Sequence, residues 1–205
     1  MIRNLVRFVI VLSLVCVLSG GGVALLYAVF KGDLQKREDA ARQEAITAVC
    51  PEGATINTEK PVAGQPFADD AVYAAAGADG KPVAYIAGGA AQGYSSMVRV
   101  MVGAKAGDLS VVRVAVLSQA ETPGLGTNVA EQKSNFTLWE KVFGPGQAGK
   151  AEATFNPFLD QFPGKKVDGF GEIHAMTAAT ITSNATKAAV EQAITRIQKA
   201  TGKAP

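Results

Sequence analysis

Residues 8–30 form an uncharged, strongly apolar run of 23 residues. As a helix it is about 35 Å long, enough to cross a bilayer, so the pattern predicts a membrane helix over 8–30 behind a short cytoplasmic tail, 1–7. Polar positions then take over. Leu34, Ala41, Ala45 and Val49 recur at helical spacing among charges, which predicts a connecting helix over 31–50 that Pro51 stops. Glu38 and Arg42 stand at i,i+4, the spacing of an ion pair. Residues 57–66 are polar and proline-bearing and read as a loop or edge segment. The period then changes. Residues 82–87 read as a short apolar strand, and the β-branched runs 98–102 and 111–116 read as a hairpin turning at Ala106-Gly107-Asp108. A helix is expected over 128–142, anchored by Val129, Phe136, Trp139 and Val142, with a loop over 144–149. Residues 184–199 form the clearest helix, with Val190, Ala193, Ile194 and Ile197 as its apolar stripe. Strands framed by helices without regular βαβ alternation predict an α+β domain over 51–205, a small antiparallel sheet flanked by helices.

Charge sharpens this picture. Residues 1–30 hold Arg3 and Arg7 and no acid; the remainder holds 18 basic and 18 acidic residues. A neutral domain gives no reason to expect nucleic acid. Arg3 and Arg7 favour a cytoplasmic N-terminus and a domain on the far side of the membrane; Lys31, Lys36 and Arg37 pull the other way. A cleaved signal peptide is the competing reading, but its apolar region is normally shorter and no small-x-small site follows Tyr27. Gly20, Gly21, Gly22 and Ala24 give the helix a small-residue face that suits another membrane helix as well as lipid. Cys16 lies in the apolar run and Cys50 well beyond it, so neither a disulfide nor a metal spacing is expected, and Cys50 reads as a buried thiol. One histidine, His174, is too little for a hydrolase and reads as a hydrogen-bonded structural residue. Glu121 and Glu172 lie in different segments and nothing in the sequence fixes their separation. Arg99 and Arg113 fall mid-strand and are expected on one solvated face.

Four segments have the composition of binding elements. Thr177-Ala178-Ala179-Thr180-Ile181-Thr182-Ser183 sets several hydroxyls where a helix begins, and bare amide N–H groups there attract a phosphate. The bland alternative is that Thr182 or Ser183 only caps that helix. Glu121-Thr122-Pro123-Gly124-Leu125-Gly126 follows the hairpin; without Cβ atoms, Gly124 and Gly126 would let backbone amides approach a flat ligand, or simply make a tight connection. Gly88-Gly89-Ala90-Ala91-Gln92-Gly93-Tyr94 reads as a small-residue loop ending in an aromatic that can stack on a ring. Asp160-Gln161-Phe162-Pro163-Gly164-Lys165-Lys166 is, on its residues alone, a turn with a buried Phe.

In order and spacing Gly93-Tyr94-Ser95, residues 121–126, residues 160–165 and residues 177–183 resemble the signatures of FMN-binding domains. The 177–183 segment is similar to the Ser/Thr-Gly-Ala-Thr flavinylation motif, and 121–126 looks like the second signature of the same domain. With the N-terminal membrane helix, the chain as a whole resembles the G subunit of Rnf electron transport complexes; the C subunit of the sodium-pumping NADH:quinone reductase is similar but usually longer. The resemblance implies one covalent FMN joined through its phosphate to Thr180 Oγ by a separate flavin transferase that uses FAD. It implies cofactor contacts from Thr177, Ala178, Ala179, Ile181, Thr182, Glu121, Thr122, Gly124, Leu125, Gly126 and Tyr94. It also implies an extracytoplasmic domain, the other members of the complex as partners, and electron relay in an ion-translocating ferredoxin:NAD oxidoreductase, with no independent active site. Other readings are a quinone-reductase component, a stand-alone flavinylated reductase, or a membrane-tethered scaffold without redox chemistry. Two positions depart from the family pattern. Ala178 stands where Gly is usual, which reads as a mild change, and His174 stands where an acid is usual, removing a negative charge from the segment the transferase reads.

Overall fold

The computed structural model describes residues 2–131, 133–134 and 154–202. The chain divides into two compact units, residues 1–41 and 42–205. In the first unit the apolar and charged stretches lie on one unbroken helix, α1 (Ile2–Val49). From Val6 onward this helix has the length and composition to cross a membrane. Phe8, Leu12, Leu18 and Leu26 are exposed, so a lipid or protein environment must cover them.

In the second unit, five antiparallel strands make one meander in chain order: β1 (Thr55–Ile56), β2 (Val72–Ala76), β3 (Pro82–Gln92), β4 (Met97–Lys105) and β5 (Val111–Ser118). A second, two-stranded sheet pairs β6 (Lys133–Ser134) with β7 (Thr154–Phe155). The helix α2 (Thr180–Thr201) closes the described chain. Its buried stripe of Ala189, Val190, Ala193, Ile194 and Ile197 packs on one face of the large sheet with Val98, Val100 and Val102. The edge-to-face stack of Phe158, Phe162 and Phe170 completes that core. The opposite face is covered by the last turns of α1, where Ala45, Ile46 and Val49 meet Ala71, Tyr73, Ile86 and Met101. Residues 42–49 therefore belong to the domain.

Two glycines set how closely the layers approach. A Cβ on Gly89 of β3 would overlap the Ala189 carbonyl oxygen of α2, and one on Gly103 of β4 would overlap the Val49 carbonyl oxygen. Gly88-Gly89-Ala90-Ala91-Gln92, expected as a loop, is thus the second half of β3. Its residues are small because a helix lies on them, and Gln192 accepts the Ala90 N–H at 2.8 Å.

Other expectations change as well. The short strands β1 and β2 fall where the residue pattern carries no strand signal. The hairpin β4–β5 forms over the expected runs, turning at 106–110. The helix expected over 128–142 is replaced, where residues are described, by a 3-10 turn (Gly126–Val129) and β6; Phe136, Trp139, Val142 and the 144–149 loop lie outside the described residues. The described part departs from α-helix because buried Asn156 donates to the carbonyls of Val129 and Glu131, both at 3.0 Å, which fixes them to a distant segment. Arg42 pairs with Asp69 at 2.7 Å. Arg99 and Arg113 do share a sheet face, but it is the one the end of α1 covers, and Arg113 donates to the Ala48 carbonyl at 3.1 Å near the helix C-terminus. The Cys50 thiol is half-buried and donates weakly to the Ala54 carbonyl, 3.6 Å away; burial raises its pKa.

Candidate functional site

α2 begins at Thr180, four residues ahead of the helix expected from 184. Its N-cap is Ala179, with φ −136° and ψ 28°, and no side chain caps it. The expected caps are otherwise engaged. Ser183 Oγ accepts the Met176 N–H at 3.1 Å. Thr182 Oγ1 donates to Glu121 Oε2 at 2.9 Å. The first-turn amides are therefore without a side-chain acceptor, the arrangement that attracts an anion.

Ahead of this turn, Ala178 adopts φ +63°, in the left-handed region. That conformation costs a non-glycine residue about 1–2 kcal/mol, so the extra methyl at 178 is more than a mild change. The preceding chain is pinned by side chains. Gln161 Oε1 accepts the His174 N–H at 2.8 Å, and Lys187 Nζ donates to the Ile173 carbonyl. His174 thus contributes its backbone to this network while its side chain is exposed, not the hydrogen-bonded ring the sequence suggested.

Facing the helix start is the 121–126 loop, with Glu121 at its centre. Glu121 is buried, with 6% of its surface exposed. Its Oε1 accepts from the Ser95 N–H at 3.1 Å, the Ser96 N–H at 2.9 Å and the Ser96 hydroxyl at 3.1 Å. Burial pushes its pKa up, but hydrogen bonds from the Ser96 N–H, the Thr182 hydroxyl, the Ser95 N–H and the Ser96 hydroxyl outweigh it and hold the carboxyl below its ordinary value. One carboxylate thereby joins the β3–β4 turn, the post-hairpin loop and the first turn of α2.

Glycines give it room. A Cβ on Gly93 would stand 2.6 Å from Glu121 Oε1; one on Gly126 would stand 2.7 Å from Glu121 Oε2 and 2.8 Å from Thr182 Oγ1. Gly126 accordingly serves the carboxylate. Gly124 serves the turn: its φ is +74° and nothing lies within 4 Å of an added Cβ. Thr127 Oγ1 accepts the Gly124 N–H at 3.0 Å and keeps this turn closed.

Between these elements opens a cleft of about 350 Å³ lined by Tyr94, Glu121, Thr122, Leu125, Gly126, Ala178, Ala179, Thr180, Ile181 and Thr182. Tyr94, Leu125 and Ile181 are 71%, 45% and 55% exposed, so the cleft offers apolar contact area to a ring. Of the twelve residues singled out from sequence, Thr177 and Gly124 are not among those lining the cleft. Among the hydroxyls of 177–183, Thr180 combines exposure with a place on the cleft wall; Thr182 and Ser183 are buried and Thr177 stands aside. Sequence reasoning assigned no role to Ser96, and its signal was faint: a serine at the end of a Gly-Tyr-Ser-Ser turn. The described residues contain no cluster of metal-ligating side chains.

An uncapped helix start beside an open apolar cleft defines an α+β domain suited to a planar ligand bearing a phosphate. The family model of FMN-binding domains matches residues 93–195, which include every residue lining the cleft. The G subunit of the ion-translocating oxidoreductase complex of Vibrio cholerae is 30% identical over 196 residues, 90% of this chain and 86% of that protein. Its counterpart in Vibrio atlanticus is 36% identical over 105 residues, 51% of this chain and 44% of that protein. The G subunit of the proton-translocating ferredoxin:NAD(+) oxidoreductase complex of Clostridium ljungdahlii is 28% identical over 131 residues, 60% of this chain and 57% of that protein. The matches thus span about half the length of the last two relatives and most of the first. The crystal structure of Shewanella oneidensis NqrC overlaps 76% of this chain and 72% of its own at 18% identity, with a TM-score of 0.44. The chain belongs to the FMN-binding domain family, among the G subunits of ion-translocating oxidoreductase complexes.

Proposed function

We propose that this chain is a membrane-anchored flavoprotein subunit that relays electrons through one FMN attached by its phosphate to Thr180 Oγ. The observation that carries this reading is the state of the α2 N-terminus: bare of any side-chain cap, open to the cleft, and presenting one exposed cleft-lining hydroxyl from its segment. A helix start whose threonines served only as caps would show a capping bond, so the scaffold reading is disfavoured.

The residues present fit the cofactor. The uncapped first-turn amides of α2 would hold the phosphate, an interaction worth about 0.3–1 kcal/mol. Tyr94, Leu125 and Ile181 supply area for an isoalloxazine, and the Thr122–Gly126 backbone borders it. FMN supplies electron transfer; the protein fixes where it happens. In this reading Thr180 Oγ would be the acceptor of the FMN phosphoryl group from FAD, its new O–P bond replacing the pyrophosphate bond, with AMP as the leaving group and the hydroxyl proton going to a base of the flavin transferase. The tether keeps the cofactor from being diluted away.

The partners in this reading are the other members of an Rnf-type complex. In this reading the chain runs from a cytoplasmic tail (1–7) through an inner-membrane helix (8–30) and a connecting stretch that ends at residue 41 to an FMN domain, which takes in 42–49 as well as 51–205, on the periplasmic or extracellular side. The length and apolar character of the N-terminal helix and the Arg3/Arg7 charge bias support that arrangement.

The test is the denatured chain, made alongside a working flavin transferase. It should fluoresce under ultraviolet light and exceed its sequence mass by one FMN less one water. Thr180→Ala should lose both signals and Thr182→Ala should keep them. Flavin retained by Thr180→Ala would move the attachment elsewhere.

A further inference from the structure

Arginines from three elements converge on Asp69, two on its carboxylate and one on its backbone. Arg42 of α1 meets Asp69 Oδ1 at 2.7 Å. Arg99 of β4 reaches both carboxylate oxygens at 3.2 Å. Arg196 of α2 donates to the backbone carbonyls of Asp69 and Gly88. The domain is neutral on average, yet here one carboxylate pairs with two guanidinium groups while a third is bound to the adjoining backbone. Hydrogen bonding from Arg42 foremost, with Arg99 adding to it, lowers the Asp69 pKa, so the acid stays ionised and the local excess stays positive.

The cluster is open. The Asp69 and Arg99 side chains are 61% and 43% exposed, while Arg42 is held at 14%. A cleft of about 210 Å³ lies against them, and its wall includes Met97, 47% exposed, and half-buried Leu117. None of these groups belongs to the FMN cleft.

We propose that the Arg42–Asp69–Arg99 cluster docks a carboxylate-bearing side chain of a neighbouring polypeptide, with Met97 and Leu117 as its apolar rim. Three features choose a protein carboxylate over other anions. The seat already suits a carboxylate, because Arg42 and Arg99 share the two oxygens of Asp69 there and Arg99 uses one guanidinium nitrogen for both. The excess charge calls for a further anion. The neighbours are arginine and methionine, residue types enriched where proteins meet. An incoming acid would pair with the exposed edge of Arg99 while Arg42 keeps Asp69 in place. The identity of the neighbour as a member of the same complex rests on the proposed function; the docking chemistry does not.

The test uses the full-length chain in its native membrane with a photo-crosslinking residue in place of Met97. The expected adduct is one defined peptide, containing Asp or Glu, of a polypeptide that co-purifies in equal amount. Combining this with Arg99→Glu should cut its yield roughly tenfold, the scale of a lost interfacial charge pair. Arg99→Gln should cut it less, and each variant should keep the parent melting temperature. Undiminished yield in Arg99→Glu, a peptide without acids, adducts to lipid alone, or no adduct would each overturn the proposal. Because flavin on the denatured chain is scored separately, a colourless chain that still gives the acidic adduct would sink the electron-relay reading and leave this one standing.

Discussion

The hydroxyl of Thr182 and the carboxylate of Glu121 meet at 2.9 Å across 61 residues of sequence, inside the protein. Their bond has two consequences. It turns Thr182 inward, leaving Thr180 at the cleft. It also ties the start of α2 to the post-hairpin loop, so the two walls of the cleft share one hydrogen-bonded centre.

That centre predicts a pH dependence. The folded-state pKa of Glu121 is depressed, so the unfolded chain binds the proton more tightly. The stabilisation is then full above the unfolded value of about 4.3 and is lost as pH falls through the lower folded value. Glu121→Gln should cost about 1–3 kcal/mol at pH 7, because an amide NH₂ faces donors that a carboxylate oxygen accepted. The gap between variant and parent should narrow below pH 4. Denaturant unfolding at a series of pH values measures both, and a gap constant from pH 7 to pH 3 would contradict the role given to this carboxylate.

The sequence displayed the parts with strong periodicity: the apolar helix, the β4–β5 hairpin and the Val190–Ile197 stripe. It hid what depends on distant partners. Ser183 looked like a cap, but its hydroxyl is taken by the Met176 N–H. Gly88 and Gly89 looked like a loop because small residues signal both turns and close packing, and only the position of Ala189 separates the two. Glu121 was legible as part of a signature, whereas its four donors come from two distant segments, 95–96 and the start of α2, that no local pattern connects to it.

Ala178 offers a stabilising change. At φ +63° it carries a steric cost that glycine avoids, and relief of it outweighs the extra entropy glycine adds to the unfolded chain. Ala178→Gly should raise stability by about 1 kcal/mol, or roughly 2–4 °C in melting temperature for a domain of this size. Ala179→Gly, where φ is −136°, is the control and should lower stability. A melting temperature for Ala178→Gly at or below the parent value would count against the strain.

The adjacent glycines of β3 should behave very differently. A Cβ on Gly89 meets the Ala189 carbonyl, backbone that cannot move without lifting α2 from the sheet. At Gly88 the nearest atoms to an added Cβ, at 3.5 and 3.8 Å, are at ordinary contact distance. Gly89→Ala should therefore cost more than about 3 kcal/mol and yield little folded protein, whereas Gly88→Ala should fall within about 1 kcal/mol of the parent. Equal expression and equal melting temperatures would mean that α2 does not sit so close.

Gly126 and Glu121 should show coupling when changed together. A methyl at 126 would press on Glu121 Oε2 and Cβ at 2.7 Å and on Thr182 Oγ1 at 2.8 Å. Gly126→Ala should cost about 1–3 kcal/mol by overpacking. Glu121→Ala should cost a similar amount by leaving buried donors without an acceptor. In the double variant the contact with Oε2 is gone, while the shortened Glu121 side chain and the released Thr182 hydroxyl have room to give way, so the combined loss should fall short of additivity by at least about 0.5 kcal/mol. Gly124→Ala, strained in backbone but with open space around it, should add to Glu121→Ala without coupling. The two cycles, measured by denaturant unfolding, separate a glycine kept for its neighbour from one kept for its backbone; additivity in both would remove Gly126 from the carboxylate's surroundings.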